Sequence, residues 1–461
     1  MKNTSVISVY SLVLFISVII FLMLILSGCD PGINRSIQGE SASRKWTILI
    51  YMAADNDLEA AAISDFNELE AVNYGNAPVT VLVLLDRSPD NDTSNGDWSD
   101  TRMFEVKSNP SHYSSALVSK RLDCPELGLS KTTETELDTS NPLVLSRAID
   151  FAKRVYPAEH YALFIWGHGT GWRSSSGGSL GPSPSKAFAF DDTSGSYMTL
   201  PDLGRAVAGK DISVIGFDTC FASLLEVVYQ VREDCELFVG SESAILSTGW
   251  DYTTLFTDFL KKPDLSVSDL GNSIQYQFSR QYAGSNDIVI SQIRTRYVDD
   301  LFAKFEEFAG AVADAIITPQ ERDLVLSQIL NETENYYFTI FPCDLYADIF
   351  DLSVKISDIR SGISDDADIQ SRIADTAANL QQAICTAVVS SWSKNGASGR
   401  LGVYVTPLQG IKIPAAAHAP EYFRGSAAMN KSAFVENSQH WVPNSVPQSS
   451  SLLDKLFYWK Y

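Results

Sequence analysis

Short apolar runs alternate along the chain with segments of helical periodicity, and this alternation constrains the fold more than any other feature. The runs typical of buried strands lie at 46–53, 79–85, 102–107, 160–166, 212–217 and 237–240. The segments with helical periodicity lie at 58–69, 142–155, 200–207 and 224–232. Buried parallel strands read as continuous apolar runs. The order therefore predicts an α/β fold, a three-layer sandwich with a mostly parallel sheet.

Composition excludes several classes of protein. The 461 residues are 45% hydrophobic and 20% charged, which is enough to bury a core and excludes wholesale disorder. With 35 Lys plus Arg against 56 Asp plus Glu, the net charge of -21 argues against nucleic-acid binding. Six cysteines are too few for a disulfide scaffold. Pairing among Cys124, Cys235, Cys343 and Cys385 stays open.

The N-terminal segment predicts attachment to a membrane. An uncharged, mostly apolar run at 6–26 is long enough to span a bilayer and ends in Leu-Ser-Gly before Cys29, which resembles the lipobox of bacterial lipoprotein signal peptides. The resemblance implies a signal peptide at 1–28, a lipid on the Cys29 thiol, and a protein anchored in the cell envelope outside the cytoplasm. A retained transmembrane anchor is the alternative. Residues 29–43 are polar and predict a flexible tether.

Two predicted strands end in residues typical of nucleophilic catalysis. Strand 160–166 is followed by His168, and strand 212–217 is followed by Cys220. In parallel sheets, catalytic groups gather beyond the carboxyl ends of strands. If these strands are neighbours, the imidazole can accept the thiol proton so that the sulfur attacks a carbonyl carbon. The backbone N–H groups of Gly169 and Cys220 would bind the developing oxyanion.

One further inference concerns Cys220, and another concerns Asp57. A helix predicted to begin near residue 223 would favour the thiolate of Cys220. A buried structural cysteine and a histidine without a chemical role remain the alternatives. Candidate N-cap Asp57 precedes the first predicted helix.

Several local strings resemble the clostripain family of cysteine peptidases. They are WTILIYMAADNDLE (46–59), FIWGHGTGW (164–172), VIGFDTCFASLLEVVYQV (214–231), VGSESA (239–244), GWDY (249–252) and GRLGVYVTP (399–407). The resemblance implies a caspase-like sandwich and a cysteine endopeptidase that cuts peptides or proteins after Arg or Lys. It identifies His168 as the catalytic histidine and Cys220 as the nucleophile.

The resemblance also implies residues that bind substrate. Asp218 matches the acidic residue two before the nucleophile, which is associated with the pocket for a basic side chain, and a carboxylate there would pair with guanidinium or ammonium. Hydrogen bonding to its own loop amides is the alternative for Asp218. Asp251 and Trp250 are further pocket candidates. Asp251 could instead cap the next helix, and Trp250 could instead pack in the core.

The loop between the two catalytic motifs is a candidate for self-cleavage, which the resemblance allows. Residues 173–187 are rich in Gly, Ser and Pro and are bounded by Arg173 and Lys186. Exposed flexible loops are where proteases cut. Lys186 is the preferred autoprocessing site and Arg173 the second, while an uncut loop is the alternative.

No cofactor is required by the sequence, although calcium is possible. Segments 90–100 and 190–197 are rich in oxygen ligands but lack EF-hand spacing. No metal site is assigned, and nothing has zinc-ligand spacing.

The rest of the chain completes the predicted domain organisation. A peptidase core at 44–262 precedes a C-terminal extension at 263–442, which contains helices at 296–316, 318–333 and 366–390 and late strands. Residues 443–461 are a linker and aromatic tail. A non-catalytic surface binding or adhesion lipoprotein on the same fold is the alternative function, and a peptidase with another specificity is a nearer one.

Overall fold

The structure is a computed structural model. It describes residues 44–89, 91–109, 116–170, 188–285, 288–331, 335–337, 344–394 and 401–407. The described residues from Lys45 onward form one compact unit. The predicted signal peptide (1–28), tether (29–43), self-cleavage loop (173–187) and tail (443–461) lie outside the described residues. Within the described ranges, no helix is both long and apolar enough to cross a bilayer.

Fourteen strands are present in the described part of the chain. In chain order they are β1 Trp46–Ala54, β2 Val79–Arg87, β3 Thr101–Glu105, β4 Lys120–Leu122, β5 His160–Trp166, β6 Phe188–Asp191, β7 Ser196–Met198, β8 Ile212–Asp218, β9 Cys235–Gly240, β10 Val289–Arg294, β11 Asn335–Tyr337, β12 Asp344–Asp348, β13 Val388–Ser393 and β14 Gly402–Pro407. Nine of them form one sheet in the order β13-β10-β9-β8-β5-β1-β2-β3-β4. Strands β6 and β7 form a hairpin, and β11, β12 and β14 form a small separate sheet.

Eleven α-helices flank these strands in the described ranges. They are α1 Glu59–Ala71, α2 Pro142–Val155, α3 Leu200–Val207, α4 Leu225–Val231, α5 Tyr252–Phe259, α6 Val267–Gln281, α7 Val298–Ala315, α8 Pro319–Asn331, α9 Ile349–Asp358, α10 Arg360–Ile363 and α11 Ala367–Ala387. The predicted helix at 366–390 ends earlier, at Ala387, because the chain continues directly into β13 at the edge of the sheet.

The centre of the main sheet is parallel and its edges are antiparallel. Strands β9, β8, β5, β1 and β2 run in parallel. Strand β3 pairs with β2 in the antiparallel direction, as β10 does with β9. The predicted α/β fold with a mostly parallel central sheet is confirmed. Strands β10 and β13, which come from the predicted C-terminal extension, belong to the same sheet as the predicted core.

Alternate side chains of the central strands bury two separate hydrophobic cores. On one face, Ile48 and Ile50 of β1 pack with residues of α1, α5 and α6. On the other face, Leu49 and Tyr51 pack with residues of α2, α3, α4 and α7. These are called the α1 face and the α2 face below. Because strand side chains alternate with a period of two, one nearly continuous apolar strand supplies both cores.

One expectation about local structure is corrected, and an open question is answered for the described cysteines. Leu58, and not Asp57, is the N-cap of α1, and no side chain caps that end. Cys124, Cys220, Cys235 and Cys385 are all free, so no disulfide forms among the described cysteines.

Candidate active site

The structure brings the ends of β5 and β8 together. The two strands are parallel neighbours, with Trp166 opposite Asp218. The Gly167 N–H continues the pairing by donating to the Asp218 carbonyl oxygen at 3.4 Å. His168 and Cys220, each two residues beyond that last pair, therefore leave the sheet at the same carboxyl edge. The adjacency on which the Cys/His interpretation depends is present.

Gly169 fits closely against the backbone that carries the thiol. A Cβ atom on Gly169 would lie 2.4 Å from the Cys220 carbonyl oxygen and 2.7 Å from the Thr219 hydroxyl oxygen. Real Cβ atoms are not found at such distances, so only glycine allows the two segments to approach this closely. This contact places Gly169 and Cys220 side by side, as their predicted use as a pair of oxyanion donors requires.

The Cys220 thiol is half-buried and contacts the loop after β9. Its Sγ atom donates to the Ile245 carbonyl oxygen at 3.6 Å and accepts from the Ile245 N–H at 3.3 Å. Burial raises the pKa of the thiol and the negative charge of Asp218 adds to the rise, although the Ile245 N–H lowers it. Helix α4 begins at Leu225 rather than near residue 223, so its N-terminus lies farther along the chain from Cys220 than predicted.

A strained turn fixes the position of Cys220. Phe221, the next residue, has a φ of 51°, which is unfavourable for a residue with a side chain. The Phe221 N–H donates to the Ser243 carbonyl oxygen at 3.1 Å, and the Ala222 N–H donates to the Ser241 carbonyl oxygen at 2.8 Å. Backbone strain of this kind persists only where surrounding contacts hold it. The loop at 241–245 therefore holds the nucleophile in place.

Asp57 contacts the imidazole of His168. The His168 Nε2–H donates to Asp57 Oδ1 at 2.6 Å, and the imidazole side chain is 37% exposed. The ring also packs edge-on against Phe190 at 5.9 Å. With Nε2 carrying its proton toward a carboxylate, Nδ1 is the nitrogen left to accept a proton from a thiol. Sequence reasoning missed this role, although Asp57 lies only three residues beyond the end of β1, the strand that neighbours β5.

Asp218 is buried at the end of β8. It is 3% exposed, and its Oδ2 atom accepts from the Trp250 N–H at 2.9 Å and from the Tyr252 hydroxyl at 3.1 Å. These donors are not amides of its own loop. Its Oδ1 atom has no hydrogen-bond partner among the described residues. Burial raises the pKa of Asp218 to about 7, against the lowering effect of these two hydrogen bonds.

Two more carboxylates lie beside Asp218, and neither was predicted. Asp65 Oδ2 accepts from the Trp166 indole N–H at 2.7 Å, and burial and the charge of Asp218 raise the pKa of Asp65. Glu68 Oε2 accepts from the Tyr252 N–H at 2.9 Å, and burial raises the pKa of Glu68 to about 7. Asp65, Glu68 and Asp218 are called the Asp218 cluster. A cationic ligand would favour the ionised forms of these three carboxyls.

Gly249 covers the Asp218 cluster. Its φ is 54°, and a Cβ atom there would lie 2.7 Å from Asp218 Oδ2 and 3.0 Å from Asp65 Oδ2. The backbone of this residue can pass so close to both carboxylates only because it lacks a side chain.

The other two pocket candidates occupy structural positions. Asp251 is the N-cap of α5, with Oδ1 accepting from the Thr254 N–H at 2.8 Å. Trp250 is 1% exposed and packs edge-to-face on Phe164 at 5.4 Å. These contacts favour the alternative roles, a helix cap and core packing. Trp250 contacts Asp218 through its backbone rather than through its indole.

The two oxygen-rich segments differ in what surrounds them. In the first, Asp92 and Asp100 form ion pairs with arginines. In the second, Asp191 lies in a group with Asp55, Asp86 and Glu136, whose ligand oxygens are all within 4.8 Å of one another.

Three predicted modification sites cannot be placed. Cys29, Arg173 and Lys186 all lie outside the described residues.

Sequence comparisons find known relatives of this chain. The model of the clostripain family matches residues 50–426. Clostripain from Hathewaya histolytica is 27% identical over 238 residues, which cover 48% of this chain and 43% of clostripain. The chain thus matches less than half the length of that relative.

Solved structures share the fold. An inactive zymogen C11 protease from Parabacteroides distasonis has a TM-score of 0.55 at 20% identity, covering 79% of this chain and 92% of that one. A secreted C11 cysteine protease from Bacteroides thetaiotaomicron, in complex with an irreversible peptide inhibitor, has a TM-score of 0.54 at 19% identity, covering 86% and 99% respectively.

Proposed function

The chain belongs to the clostripain family, and from this premise we propose that it is a cysteine endopeptidase that cuts peptide bonds after Arg, with Lys second. One observation carries the proposal. His168 and Cys220 leave adjacent parallel strands at the same edge of the sheet, with Gly169 packed on the Cys220 backbone. This is the arrangement that an imidazole-assisted sulfur nucleophile requires.

The proposed reaction follows from the surroundings of the two side chains. Nδ1 of His168 accepts the thiol proton as the Cys220 sulfur attacks the scissile carbonyl carbon. The N–H groups of Gly169 and Cys220 donate to the oxyanion that forms. Collapse of this intermediate breaks the C–N bond, and the imidazolium returns the proton to the leaving amine. Water then attacks the thioester, and the acid product and the free thiol are released.

Asp57 orients the imidazole during these steps. Its hydrogen bond to Nε2 holds one tautomer and stabilises the imidazolium that forms when the thiol loses its proton. Because burial raises the pKa of the Cys220 thiol, transfer of its proton to the imidazole accompanies the attack of the sulfur in the proposed reaction.

The preference for basic side chains rests on Asp218. Its buried Oδ1 atom lacks a partner in the described part of the chain, so a guanidinium that reaches it would supply the missing donor. Asp65 and Glu68 lie beside it, and a bound cation would favour their ionised forms. Guanidinium pairs with carboxylate in a planar, bidentate way, whereas ammonium acts as a point charge, so Arg should be preferred over Lys.

The proposal includes an anchor and an activation step. The apolar run at 6–26 followed by Cys29 supports export and lipid attachment, which would hold the enzyme in the cell envelope and outside the cytoplasm. Cleavage after Lys186, or after Arg173, in the loop at 173–187 would convert the enzyme to its active form. Either cleavage would break a bond after a basic residue, which matches the proposed specificity.

Peptidase activity is tested with fluorogenic peptides that end in Arg, Lys, Asp or Asn before the leaving group. We expect turnover of the Arg peptide first and the Lys peptide second. Cys220→Ala should lower it by about 10⁴-fold or more. Cys385→Ala, which removes an exposed free thiol on α11, is the matched control and should change nothing. If no peptide is cleaved, even after limited nicking of the loop, the protein is a binding or adhesion lipoprotein on this fold.

The specificity is tested separately with Asp218→Asn. We expect a loss of Arg turnover far greater than any loss in the rate at which iodoacetamide alkylates Cys220. Equal losses in both would mean that Asp218 holds the site together and does not bind substrate.

A further inference from the structure

Asp65 and Asp218 come from different elements and meet where β8 ends. Asp218 is the last residue of β8, and Asp65 lies in α1, which packs on the sheet. Oδ2 of Asp218 and Oδ2 of Asp65 lie 2.7 and 3.0 Å from the point where a Cβ atom of Gly249 would stand. Asp65 is 2% exposed and Asp218 is 3% exposed. Two acidic side chains therefore share one small, buried space.

Each of these two carboxyls uses only one of its oxygens in the described part of the chain. Oδ2 of Asp65 accepts from the Trp166 indole N–H, which is the one hydrogen bond of this carboxyl within the described ranges. Oδ2 of Asp218 accepts from the Trp250 N–H and the Tyr252 hydroxyl. Oδ1 of Asp218 is buried and has no partner among the described residues. Because a buried carboxylate oxygen without a donor is costly, this atom indicates that the pair binds a ligand with N–H donors.

The groups around the pair supply no positive charge. The titratable side chains that face it are Glu68 of α1, Asp251 and Tyr252 at the start of α5, Tyr282 after α6, and Cys220. Burial raises the pKa of Asp65 well above its usual value, and the charges of Asp218, Glu68 and Asp251 raise it further. No basic side chain within the described ranges forms an ion pair with Asp65 or Asp218. Two adjacent buried carboxyls cannot both ionise without a counter-ion, so in the absence of a cation the pair holds a proton.

A guanidinium has the charge and the donors that this pair lacks. Its N–H groups form a planar fork, so two of them can bind one carboxylate while another reaches a second carboxylate beside it. We propose that Asp65 is a second specificity-determining residue, which binds the substrate guanidinium together with Asp218 and releases its proton to solvent as it does so.

The exchange of a proton for a cation has a consequence for pH dependence. One positive charge enters the pair and one proton leaves it, so the net charge of the buried site stays the same. Binding of a guanidinium therefore strengthens as pH rises, until Asp65 ionises in the absence of the ligand. This inference rests on the proposed preference for basic side chains, and it adds a residue of α1 to the pocket.

Calorimetric titration of the full-length protein with butylguanidinium chloride tests the exchange. This probe carries the charged group of Arg but no peptide bond, so it is not cleaved. Titrations at pH 8 in phosphate and in Tris count the protons released, because the two buffers take up a proton with different enthalpies. We expect about one proton per bound ligand and a dissociation constant about tenfold higher at pH 7. The carboxyls of Asp218 and Glu68 have pKa values of about 7, so both are mostly ionised at pH 8 and contribute little to this count.

Asp65→Asn removes the proton but keeps an oxygen that can accept from the Trp166 indole N–H. It should bind butylguanidinium at least tenfold more weakly at pH 8 and release almost no proton. For a peptide that ends in Arg, KM should rise at least tenfold, while kcat and the rate at which iodoacetamide alkylates Cys220 should change less than about twofold. A purely structural role of Asp65 would instead lower kcat and the alkylation rate as well.

Glu70→Gln is the matched control, because Glu70 is also a buried carboxyl of α1 but accepts from the N–H groups of Val118 and Ser119. The amide oxygen of Gln can accept the same bonds, so this variant should bind the probe and release a proton like the parent. Binding by the parent without proton release would overturn the role of Asp65 alone, as would parental binding by Asp65→Asn. No binding of the probe from pH 6 to pH 9 would refute the preference for basic side chains itself, and this inference with it. The proton count of the parent decides the question if Asp65→Asn does not fold.

Discussion

Replacing Asp218 with Asn should stabilise the protein at alkaline pH while it removes cleavage after Arg. The carboxyl is 3% exposed, and one of its oxygens has no partner in the described part of the chain. Burial raises its pKa from 3.8 to about 7. Ionising this carboxyl in the folded protein is therefore unfavourable, and the amide of Asn avoids that cost.

The sign and size of this pH-dependent effect on stability follow from the difference in the pKa of Asp218 between the folded and the unfolded state. A carboxyl whose pKa is raised by folding keeps its proton longer in the folded protein, so its contribution to stability falls as pH rises between about 4 and about 7. Above that range the full cost, about 4 kcal/mol for a separation of about 3 pH units, is present. At pH 5 the cost is about 2 kcal/mol. Between pH 5 and pH 8 the parent should therefore lose about 2–3 kcal/mol relative to the Asn variant.

Asp65 also contributes to the difference in the free energy of unfolding between Asp218→Asn and its parent. Because the charge of Asp218 raises the pKa of Asp65, removing that charge makes Asp65 easier to ionise in the folded protein. This second effect has the same sign and adds to the stabilisation at high pH.

Urea unfolding at pH 5 and pH 8, followed by tryptophan fluorescence, measures the difference. Both proteins should carry Cys220→Ala so that self-cleavage does not interfere. Asp264→Asn serves as the control, since an exposed carboxylate should give the same free energy of unfolding relative to the parent at both pH values. The reasoning would be refuted if the difference in the free energy of unfolding between Asp218→Asn and its parent stayed constant from pH 5 to pH 8.

Three further predictions concern the catalytic edge and one concerns the core. Asp57→Asn should lower kcat about tenfold or more with little change in KM, since the imidazole of His168 loses its orienting partner; a change in KM alone would contradict this. Alkylation of Cys220 by iodoacetamide should accelerate nearly tenfold per pH unit from pH 7 to pH 9, because burial raises the pKa of the thiol, and a plateau below pH 8 would indicate an ion pair with the imidazole. Gly169→Ala should reduce Arg turnover at least 100-fold, because its Cβ would collide with the neighbouring carbonyl, and near-parental kinetics would refute the close contact. Arg87→Ala should lower the free energy of unfolding by about 3–5 kcal/mol, measured in urea, because its fully buried glutamate partner is left unpaired; a loss below about 1 kcal/mol would argue against this ion pair.

The sequence predicted the central strands well because each is a continuous apolar run buried on both faces. Strand β5 was predicted at its observed bounds, and β8 extends one residue further than predicted. Strands β4, β6 and β7 were missed, since runs of three or four residues are too short to show a period. Strand β13 was hidden because it continues directly from α11, so a helical pattern covered its first residues. The antiparallel direction of the edge strands was not predicted, because a hydrophobic pattern does not indicate the direction of a strand.

The site was predictable where its residues end strands and not where they come from other elements. His168 and Cys220 follow apolar runs, so their meeting needed only adjacency of two strands. Asp57 was assigned to a helix cap, and its contact with His168 spans 111 positions along the chain. Asp65 and Glu68 belong to α1, and only the packing of that helix on the sheet brings them beside Asp218.

Two groups of carboxylates lie on opposite faces of the sheet, and the period of the strands explains this. One is the group of Asp55, Asp86, Glu136 and Asp191, and the other is the Asp218 cluster. Tyr51 and Ala53 of β1 belong to the core of the α2 face, and Asp55 continues that alternation. In β8, Phe217 also faces α2, so Asp218 turns to the opposite side, where α1 supplies Asp65. The sheet thus separates the two groups of carboxylates. A guanidinium bound at Asp218 would thus lie on the other side of the sheet from the carboxylates around Asp55.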